Sequence, residues 1–244
     1  MIERSEADGI VTLRLDHGKT SALDIELVEA LQRELTAAAG ARAIVLTGTG
    51  SIFCAGVDLN RVVDGGPDYV KHFLPLLRDV LRQLFAMPMP VVAAANGNAI
   101  AGGALLVYAS DLRLMSGGRI GSPELVLGVP FLTVALEILR FAVPRAQQFA
   151  LTGRTVPPDE ALAAGLIDEV VAHDALLARA QELASQLAAV PEPSFRLAKA
   201  QLRAPAMALI SHNGRDAEAL AAWSSPSMLE HIREYLAGDH DRTN

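Results

Sequence analysis

Two glycine-containing segments in this sequence have residue types and spacing that could support catalysis. The first is residues 53–59, Phe-Cys-Ala-Gly-Val-Asp-Leu, and the second is residues 96–103, Asn-Gly-Asn-Ala-Ile-Ala-Gly-Gly. Glycine lets backbone N–H groups approach a ligand closely, and N–H groups at the start of a helix are unpaired and positively polarised. The two segments could therefore converge on one ligand oxygen. From spacing alone, Gly102-Gly103 could equally serve only to let a buried helix pack tightly.

Glu124 is an acidic residue in an apolar part of the sequence. It follows Pro123 and precedes the apolar residues Leu125, Val126 and Leu127. Burial among apolar side chains raises the pKa of a carboxyl group toward neutrality, where a general base works well. A structural role is the alternative, since a carboxylate at the start of a helix interacts favourably with the helix dipole.

Other kinds of active site lack their signatures in this sequence. Cys54 is the only cysteine, and a small buried residue is favoured over a nucleophile because no histidine lies near it in sequence. The six histidines have no metal-ligand spacing, so we expect no metal site. Residues 48–53 begin like a dinucleotide loop, but Phe53 replaces the third glycine. Phosphate-loop, serine-hydrolase and zinc-protease motifs are absent as well.

Composition limits the partners and the compartment that we expect. The 244 residues carry a formal net charge of -7 without a basic run, which argues against nucleic acid as a partner. The apolar stretches are shorter than the ~20 residues that a membrane span needs. The first residues also lack the apolar core of a signal peptide. We therefore expect a cytoplasmic protein without a membrane partner.

Hydrophobic periodicity predicts strands that alternate with helices in the first two thirds of the chain. The predicted strands are residues 10–15, 43–47, 91–95, 111–115 and 168–171. A helix capped by Asp24 should follow the first strand, and residues 67–85 should form two helical pieces because Pro75 interrupts the pattern. After His173 the pattern is helical, with breaks at Pro191, Pro205 and Pro226. This order predicts an α/β core with a helical C-terminal extension.

Several motifs, in order along the chain, resemble those of one known superfamily. They are Ala-Gly-Val-Asp-Leu at 55–59, the second glycine segment at 96–103, Ala-Ser-Asp-Leu-Arg at 109–113, Ser-Pro-Glu-Leu at 122–125, and Gly-Leu-Ile-Asp-Glu-Val-Val at 165–171. Together they resemble the enoyl-CoA hydratase/isomerase (crotonase) superfamily, closely from Asp8 to Val171 and loosely beyond. The resemblance implies an α/β fold with a crotonase-like (ClpP/crotonase-like) ββα spiral core at residues 1–190. It also implies a helical oligomerisation region at residues 191–244, and homotrimers or hexamers.

The same resemblance implies an acyl-CoA thioester as substrate, with no cofactor beyond the CoA that the substrate carries. The backbone N–H groups of Val57 and Gly102 would form an oxyanion hole for a thioester enolate, and Glu124 would be catalytic. Asp58 can alternatively be interpreted as ordering the first glycine segment. The substrate-binding residues implied are Ala22, Ala55, Gly56, Asp58, Leu59, Gly103, Pro123 and Phe131.

The number of carboxylates bears on the reaction. Hydratases of this superfamily use two glutamates, and Leu105 occupies the position of the first. The single glutamate and the stretch at 127–132 both resemble the Δ3,Δ2-enoyl-CoA isomerase branch. The sequence thus predicts an isomerase. A 2-enoyl-CoA hydratase, a thioesterase, a decarboxylase or a non-catalytic acyl-CoA-binding protein are the alternatives. Glu137 could be an auxiliary proton relay, or more simply a salt-bridged side chain.

Overall fold

The computed structural model describes residues 1–212 and 214–238, so residues 239–244 of the predicted C-terminal region lie outside it. Its strands are β1 (Ile2–Ala7), β2 (Ile10–Leu15), β3 (Ala43–Gly48), β4 (Ile52–Cys54), β5 (Val91–Ala95), β6 (Asn98–Ile100), β7 (Leu112–Met115), β8 (Ile120–Gly121), β9 (Thr155–Val156) and β10 (Glu169–Val170). Its helices are α1 (Ile25–Ala37), α2 (Leu59–Ala86), α3 (Gly102–Tyr108), α4 (Thr133–Ala142), α5 (Ala146–Thr152), α6 (Pro158–Ala163), α7 (Leu176–Ala188), α8 (Glu192–Ser211), α9 (Asp216–Trp223) and α10 (Pro226–Ala237).

The strands form two sheets. The larger sheet has the order β1-β2-β3-β5-β7-β10, and all of its pairs are parallel except β1 with β2. The smaller sheet has the order β4-β6-β8-β9. Strands β3 and β5 are buried along their whole length, as expected for central parallel strands covered on both faces. The five strands predicted from the sequence are the central and later strands of the larger sheet.

A repeating ββα unit relates the two sheets. Along the chain, β3, β5 and β7 each belong to the larger sheet, and each is followed by a strand of the smaller sheet, namely β4, β6 or β8. A helix comes next in each case: α2, α3 or α4. The ββα core and the helical C-terminal region predicted from the sequence are confirmed.

The break in the second long helix lies at a different residue from the one predicted. The chain keeps helical backbone angles through Pro75, and the interruption is at Gly66, with φ 61° and ψ -156°. This φ is one that glycine adopts without strain. Leu74 and Leu77, on either side of Pro75, are buried in the core. Their packing offsets the loss of the backbone hydrogen bond that proline cannot make.

The helix break predicted at Pro205, near the C-terminus, is also wrong. Helix α8 runs without a break across Pro205, while Pro191 and Pro226 lie at helix starts, as predicted. The buried residues Ala206 and Ile210 follow Pro205 in the same helix, and α8 packs on α4 and α2. Helices α9 and α10 pack on α2 as well, so the C-terminal helices cover the core of their own chain.

Candidate active site

The segment after β4 is fixed by backbone hydrogen bonds on both sides of Val57. The N–H of Leu23 donates to the carbonyl of Gly56 at 2.7 Å, and the N–H of Asp58 donates to the carbonyl of Leu23 at 3.0 Å. The N–H of Val57, between them, has no backbone acceptor in the described part of the chain. The first glycine segment therefore holds the free N–H of Val57 in a fixed position.

Gly102 supplies a second free donor, because it is the first residue of α3. The N–H of Ala101 donates to Gly121 at 2.8 Å, and that of Leu105 donates to Ala101 at 3.0 Å. Within residues 1–212 and 214–238, the N–H of Gly102 has no such acceptor. The two segments also touch: a Cβ on Gly56 would lie 2.7 Å from the carbonyl oxygen of Ile100 and 3.4 Å from the nitrogen of Gly102. The structure thus brings the two segments together, which is one of the two arrangements that the sequence left open.

An apolar cavity of about 170 Å³ adjoins both donors. Its wall combines the two glycine segments, helix α2, the stretch from Pro123 to Ala135, and the C-terminal helices. The residues lining it are Ala55, Val57, Leu59, Leu74, Leu77, Leu81, Ile100, Ala101, Gly102, Leu105, Pro123, Glu124, Leu127, Val129, Pro130, Phe131, Leu132, Ala135, Trp223 and Tyr235. A largely apolar pocket with a few polar groups suits an acyl chain with one polar end.

Glu124 is the one acidic residue among the described residues that line this cavity. It is held in a turn in which the N–H of Val129 donates to its carbonyl at 2.9 Å. The residue is only 8% exposed, and its Oε2 atom has no hydrogen-bond partner in the described structure. Burial raises the pKa of Glu124 to about 7, although a hydrogen bond from its own backbone N–H opposes the rise. A carboxyl with this pKa can both accept and return a proton near neutral pH.

The predicted binding residues divide into two groups. Ala55, Leu59, Pro123 and Phe131 line the cavity, with Val57, Gly102 and Glu124.

The remaining four, Ala22, Gly56, Asp58 and Gly103, do not line this cavity. Asp58 caps α2 by accepting from the N–H of Arg61 at 3.1 Å, which agrees with its interpretation as an ordering residue. A Cβ on Gly103 would lie 2.2 Å from the carbonyl oxygen of Cys54, so the backbones approach closely there. Whether these four contact a substrate stays a prediction.

Sequence reasoning missed the C-terminal contribution to the cavity. Trp223 of α9 and Tyr235 of α10 line it, and the Trp223 indole donates to the carbonyl of Pro130 at 2.9 Å. The single tryptophan in a helical region was the available signal, because large aromatic residues are commonly anchors. From helix α2, Leu77 lines the cavity, whereas Phe73 lies in the core and stacks on Tyr69.

None of Cys54, Glu137 and Asp111, the last from the motif at 109–113, lines the cavity. Burial raises the pKa of the Cys54 thiol to about 12, which opposes the formation of a nucleophilic thiolate. Glu137 forms an ion pair with Arg140 at 3.0 Å and does not line the cavity. Asp111 accepts from the N–H of Val91 at 2.8 Å, ordering the start of β5.

Residues 1–212 and 214–238 contain no group of three or more His, Cys, Asp or Glu residues that could hold a metal ion. In the same residues, no helix combines the length and the apolar character needed to cross a membrane.

This chain is similar to a described protein family, to several described proteins and to solved structures. A family model described as enoyl-CoA hydratase/isomerase matches residues 5–234. A Thermus thermophilus protein described provisionally as an enoyl-CoA hydratase is 38% identical, with 87% of this chain and 86% of that protein covered. The mitochondrial enoyl-CoA delta isomerase 1 of Rattus norvegicus is 26% identical, with 97% of this chain and 86% of that protein covered. A solved enoyl-CoA isomerase of Mycobacterium tuberculosis is 28% identical with a TM-score of 0.82, covering 92% of this chain and 98% of that one.

Proposed function

The chain belongs to the enoyl-CoA hydratase/isomerase family, and we propose that within it the protein is a Δ3,Δ2-enoyl-CoA isomerase. The observation that carries this proposal is the composition of the cavity wall. Glu124 is its one acidic residue among those described, and Leu105 of α3 faces the same space with an apolar side chain. Hydration needs groups that position and deprotonate water as well as protonate the α-carbon. Moving a double bond needs one group that takes a proton and returns it.

In the proposed reaction, ionised Glu124 removes a proton from C2 of a 3-enoyl thioester. The C2–H electron pair moves toward the carbonyl, and negative charge develops on the thioester oxygen. The free N–H groups of Val57 and Gly102 stabilise this dienolate, and each donor aimed at developing charge can contribute roughly 3 kcal/mol. Glu124 then returns the proton to C4. The double bond has moved from C3–C4 to C2–C3 without gain or loss of atoms, and CoA enters only as part of the substrate.

Incubation of the purified protein with 3-hexenoyl-CoA tests the proposal. The expected product is the conjugated 2-enoyl thioester, detected by its ultraviolet absorbance and by an unchanged mass. Glu124→Gln should reduce the rate at least about 100-fold, as expected for the loss of a general base. Glu137→Gln is the matched control, because it removes a carboxylate that pairs with Arg140 outside the cavity. Equal activity of Glu124→Gln and the wild type would contradict the proposal.

The second candidate is a 2-enoyl-CoA hydratase, which the name of the Thermus thermophilus relative favours. Incubation with a 2-enoyl-CoA would then give a product heavier by one water. Loss of free CoA would instead indicate a thioesterase, and loss of carbon dioxide from a suitable substrate would indicate a decarboxylase. Tight binding of acyl-CoA without turnover by any of these routes would indicate a binding protein.

We also propose that the protein is a cytoplasmic homo-oligomer, a trimer or a pair of trimers. Supporting this, α8 carries three large apolar side chains that are at least half exposed in the single chain: Leu197 at 61%, Leu202 at 69% and Leu209 at 50%. Exposed apolar surface of this kind favours association. Sedimentation analysis of the purified protein would distinguish a monomer from a trimer or hexamer.

A further inference from the structure

The apolar cavity beside Glu124, the acyl cavity, has a partly exposed side and a buried side. Its lining residues Val57, Leu127 and Phe131 are partly exposed. The lining residues from the middle of α2, the start of α4 and helix α9 are buried: Leu74, Leu77, Leu81, Leu132, Ala135 and Trp223. An acyl chain that enters beside the first glycine segment therefore ends against these helices.

The volume of the acyl cavity limits the length of the chain that it can hold. The cavity measures about 170 Å³. In another protein, an apolar cavity of about 150 Å³ binds benzene, a molecule of six carbon atoms. A chain of about six carbons therefore fills the acyl cavity, and a much longer chain does not fit unless the buried side opens.

Leu74 and Leu132 separate the acyl cavity from a smaller one. The smaller cavity, of about 40 Å³, is lined by Leu74, Pro75, Arg78, Leu132, Asp216 and Leu220. Leu74 and Leu132 line both cavities, and both side chains are buried. The lining residues on the far side, Arg78, Asp216 and Leu220, are partly exposed. The two leucines therefore form a wall that a longer chain would meet on its way toward the surface.

Hydrogen bonds on both sides of Leu132 hold this wall in place. The Trp223 indole donates to the carbonyl of Pro130 at 2.9 Å, and the N–H of Thr133 donates to the Asp216 carboxylate at 2.7 Å. Trp223 and Asp216 are the last and first residues of α9. The backbone around Leu132 is thus attached to α9 at two points, and moving Leu132 aside would break these hydrogen bonds.

We propose that the protein is selective for short-chain acyl-CoA thioesters, of about six acyl carbons, because Leu74 and Leu132 close the inner end of the acyl cavity. Leu132 is then a specificity-determining residue that meets the end of the chain and not the reacting carbons. The inference rests on the proposed function, since it takes the cavity to be the acyl site.

Binding of saturated acyl-CoA thioesters tests the chain-length limit without any reaction. The chain is varied from butanoyl to dodecanoyl, and Kd is measured by isothermal titration calorimetry. Each methylene group that becomes buried should lower Kd roughly fourfold. For the wild type, Kd should therefore fall from butanoyl-CoA to hexanoyl-CoA and rise again for decanoyl-CoA and dodecanoyl-CoA. Equal Kd values for dodecanoyl-CoA and hexanoyl-CoA would overturn the proposal, and so would a lack of binding at every chain length.

Leu132→Ala should join the two cavities and move the preference to longer chains. Decanoyl-CoA should bind at least about tenfold more tightly to this variant than to the wild type, because further methylene groups become buried. Butanoyl-CoA does not reach the wall and should gain nothing. Leu74→Ala removes the other half of the wall and should give the same change, so it replaces Leu132→Ala if that variant fails to fold.

Leu136→Ala is the matched control. It makes the same chemical change four residues after Leu132, and Leu136 lines neither the acyl cavity nor the smaller one. We expect the wild-type order of Kd values in this variant. An equal gain in decanoyl-CoA binding for Leu136→Ala, or no gain for Leu132→Ala and Leu74→Ala, would overturn the proposal.

Turnover should show the same preference. For the wild type, kcat/KM should be higher for 3-hexenoyl-CoA than for 3-decenoyl-CoA, and this order should reverse in Leu132→Ala. If the wild type does not isomerise 3-hexenoyl-CoA but the expected order of Kd values is found, the proposed isomerisation is contradicted and the chain-length limit stands. Isomerisation of both substrates at equal kcat/KM by the wild type would contradict the limit alone.

Discussion

Gly56 and Gly102 belong to different ββα units, yet their backbones are in contact. A Cβ on Gly102 would lie 3.8 Å from the Cα of Gly56, and a Cβ on Gly56 would lie 3.4 Å from the nitrogen of Gly102. The contact places the free N–H groups of Val57 and Gly102 on one wall of the cavity. Both donors can therefore lie at one site only because these two positions are glycine and carry no Cβ.

Replacing Gly56 with alanine is expected to damage both stability and activity. Gly56 has a φ of +87°, and the added Cβ would lie 2.7 Å from the carbonyl oxygen of Ile100. Strain and overpacking together should lower the free energy of unfolding by about 2–4 kcal/mol. The displaced donors should lower kcat at least tenfold. Urea denaturation and steady-state kinetics with 3-hexenoyl-CoA measure the two effects.

Gly50→Ala is the control for this variant. Gly50 also has a positive φ, of +64°, but an added Cβ would meet no atom within 4 Å. We expect a loss of about 1 kcal/mol, from backbone strain alone, with kcat unchanged. Equal effects of the two substitutions on kcat would contradict the role given to the contact between Gly56 and Gly102.

The sequence predicted the parts of the fold whose pattern is local. Strands β3 and β5 are continuous apolar runs, and Asp24 caps α1 by accepting from the N–H of Leu27 at 2.8 Å, as predicted. The short strands of the smaller sheet were missed, since β8 has only two residues and depends on pairing with distant segments. Pro75 and Pro205 were overestimated as helix breakers because tertiary packing offsets their cost.

The candidate site likewise contains residues that the sequence indicated and residues that it did not. The glycine segments and Glu124 carry motifs, and the structure brings them to one cavity. Trp223 and Tyr235 were missed, because they reach the cavity from helices α9 and α10, more than 90 residues further along the chain than Glu124.

The pH dependence of the reaction should follow the ionisation of Glu124. Burial raises its pKa from 4.5 to about 7, and a base must be ionised to remove a proton. We expect kcat/KM for 3-hexenoyl-CoA to be level above about pH 8 and to fall tenfold per pH unit well below pH 7. A profile measured between pH 5 and 9 checks this. A midpoint near pH 4.5 would show that the carboxyl is solvated in the working enzyme.

The same shift makes Glu124 a cost to stability at high pH. A carboxyl whose pKa is raised on folding contributes stability that is present below the unfolded pKa and is lost as the pH rises through the folded value. The rise from 4.5 to about 7 corresponds to about 3 kcal/mol, at 1.36 kcal/mol per unit.

Glu124→Gln should therefore be more stable than the wild type at pH 8, by about 2–3 kcal/mol, and nearly equal to it at pH 4. Urea denaturation at the two pH values measures this difference. Glu137→Gln, which removes the ion pair with Arg140, should show no such gain at pH 8. A gain from Glu124→Gln that is the same at both pH values would show that packing, and not ionisation, is responsible.

Ala101 is a strained residue at the start of α3, and replacing it with glycine should stabilise the protein. Its φ is 50° and its ψ is -118°, a combination that costs a residue with a Cβ about 1–3 kcal/mol. Glycine adopts it freely, but the unfolded chain then gains entropy. We expect Ala101→Gly to raise the free energy of unfolding by about 1 kcal/mol, measured by urea denaturation.

Ala104→Gly makes the same chemical change three residues later and should have the opposite sign. Ala104 is fully buried inside α3, where glycine costs about 1 kcal/mol in helix propensity and also leaves a small cavity. If Ala101→Gly stabilises the protein and Ala104→Gly destabilises it, the backbone strain lies at Ala101, in the turn just before the Gly102 N–H. If both variants lose stability, the Ala101 methyl group contributes more through packing in the cavity wall than its backbone angles cost.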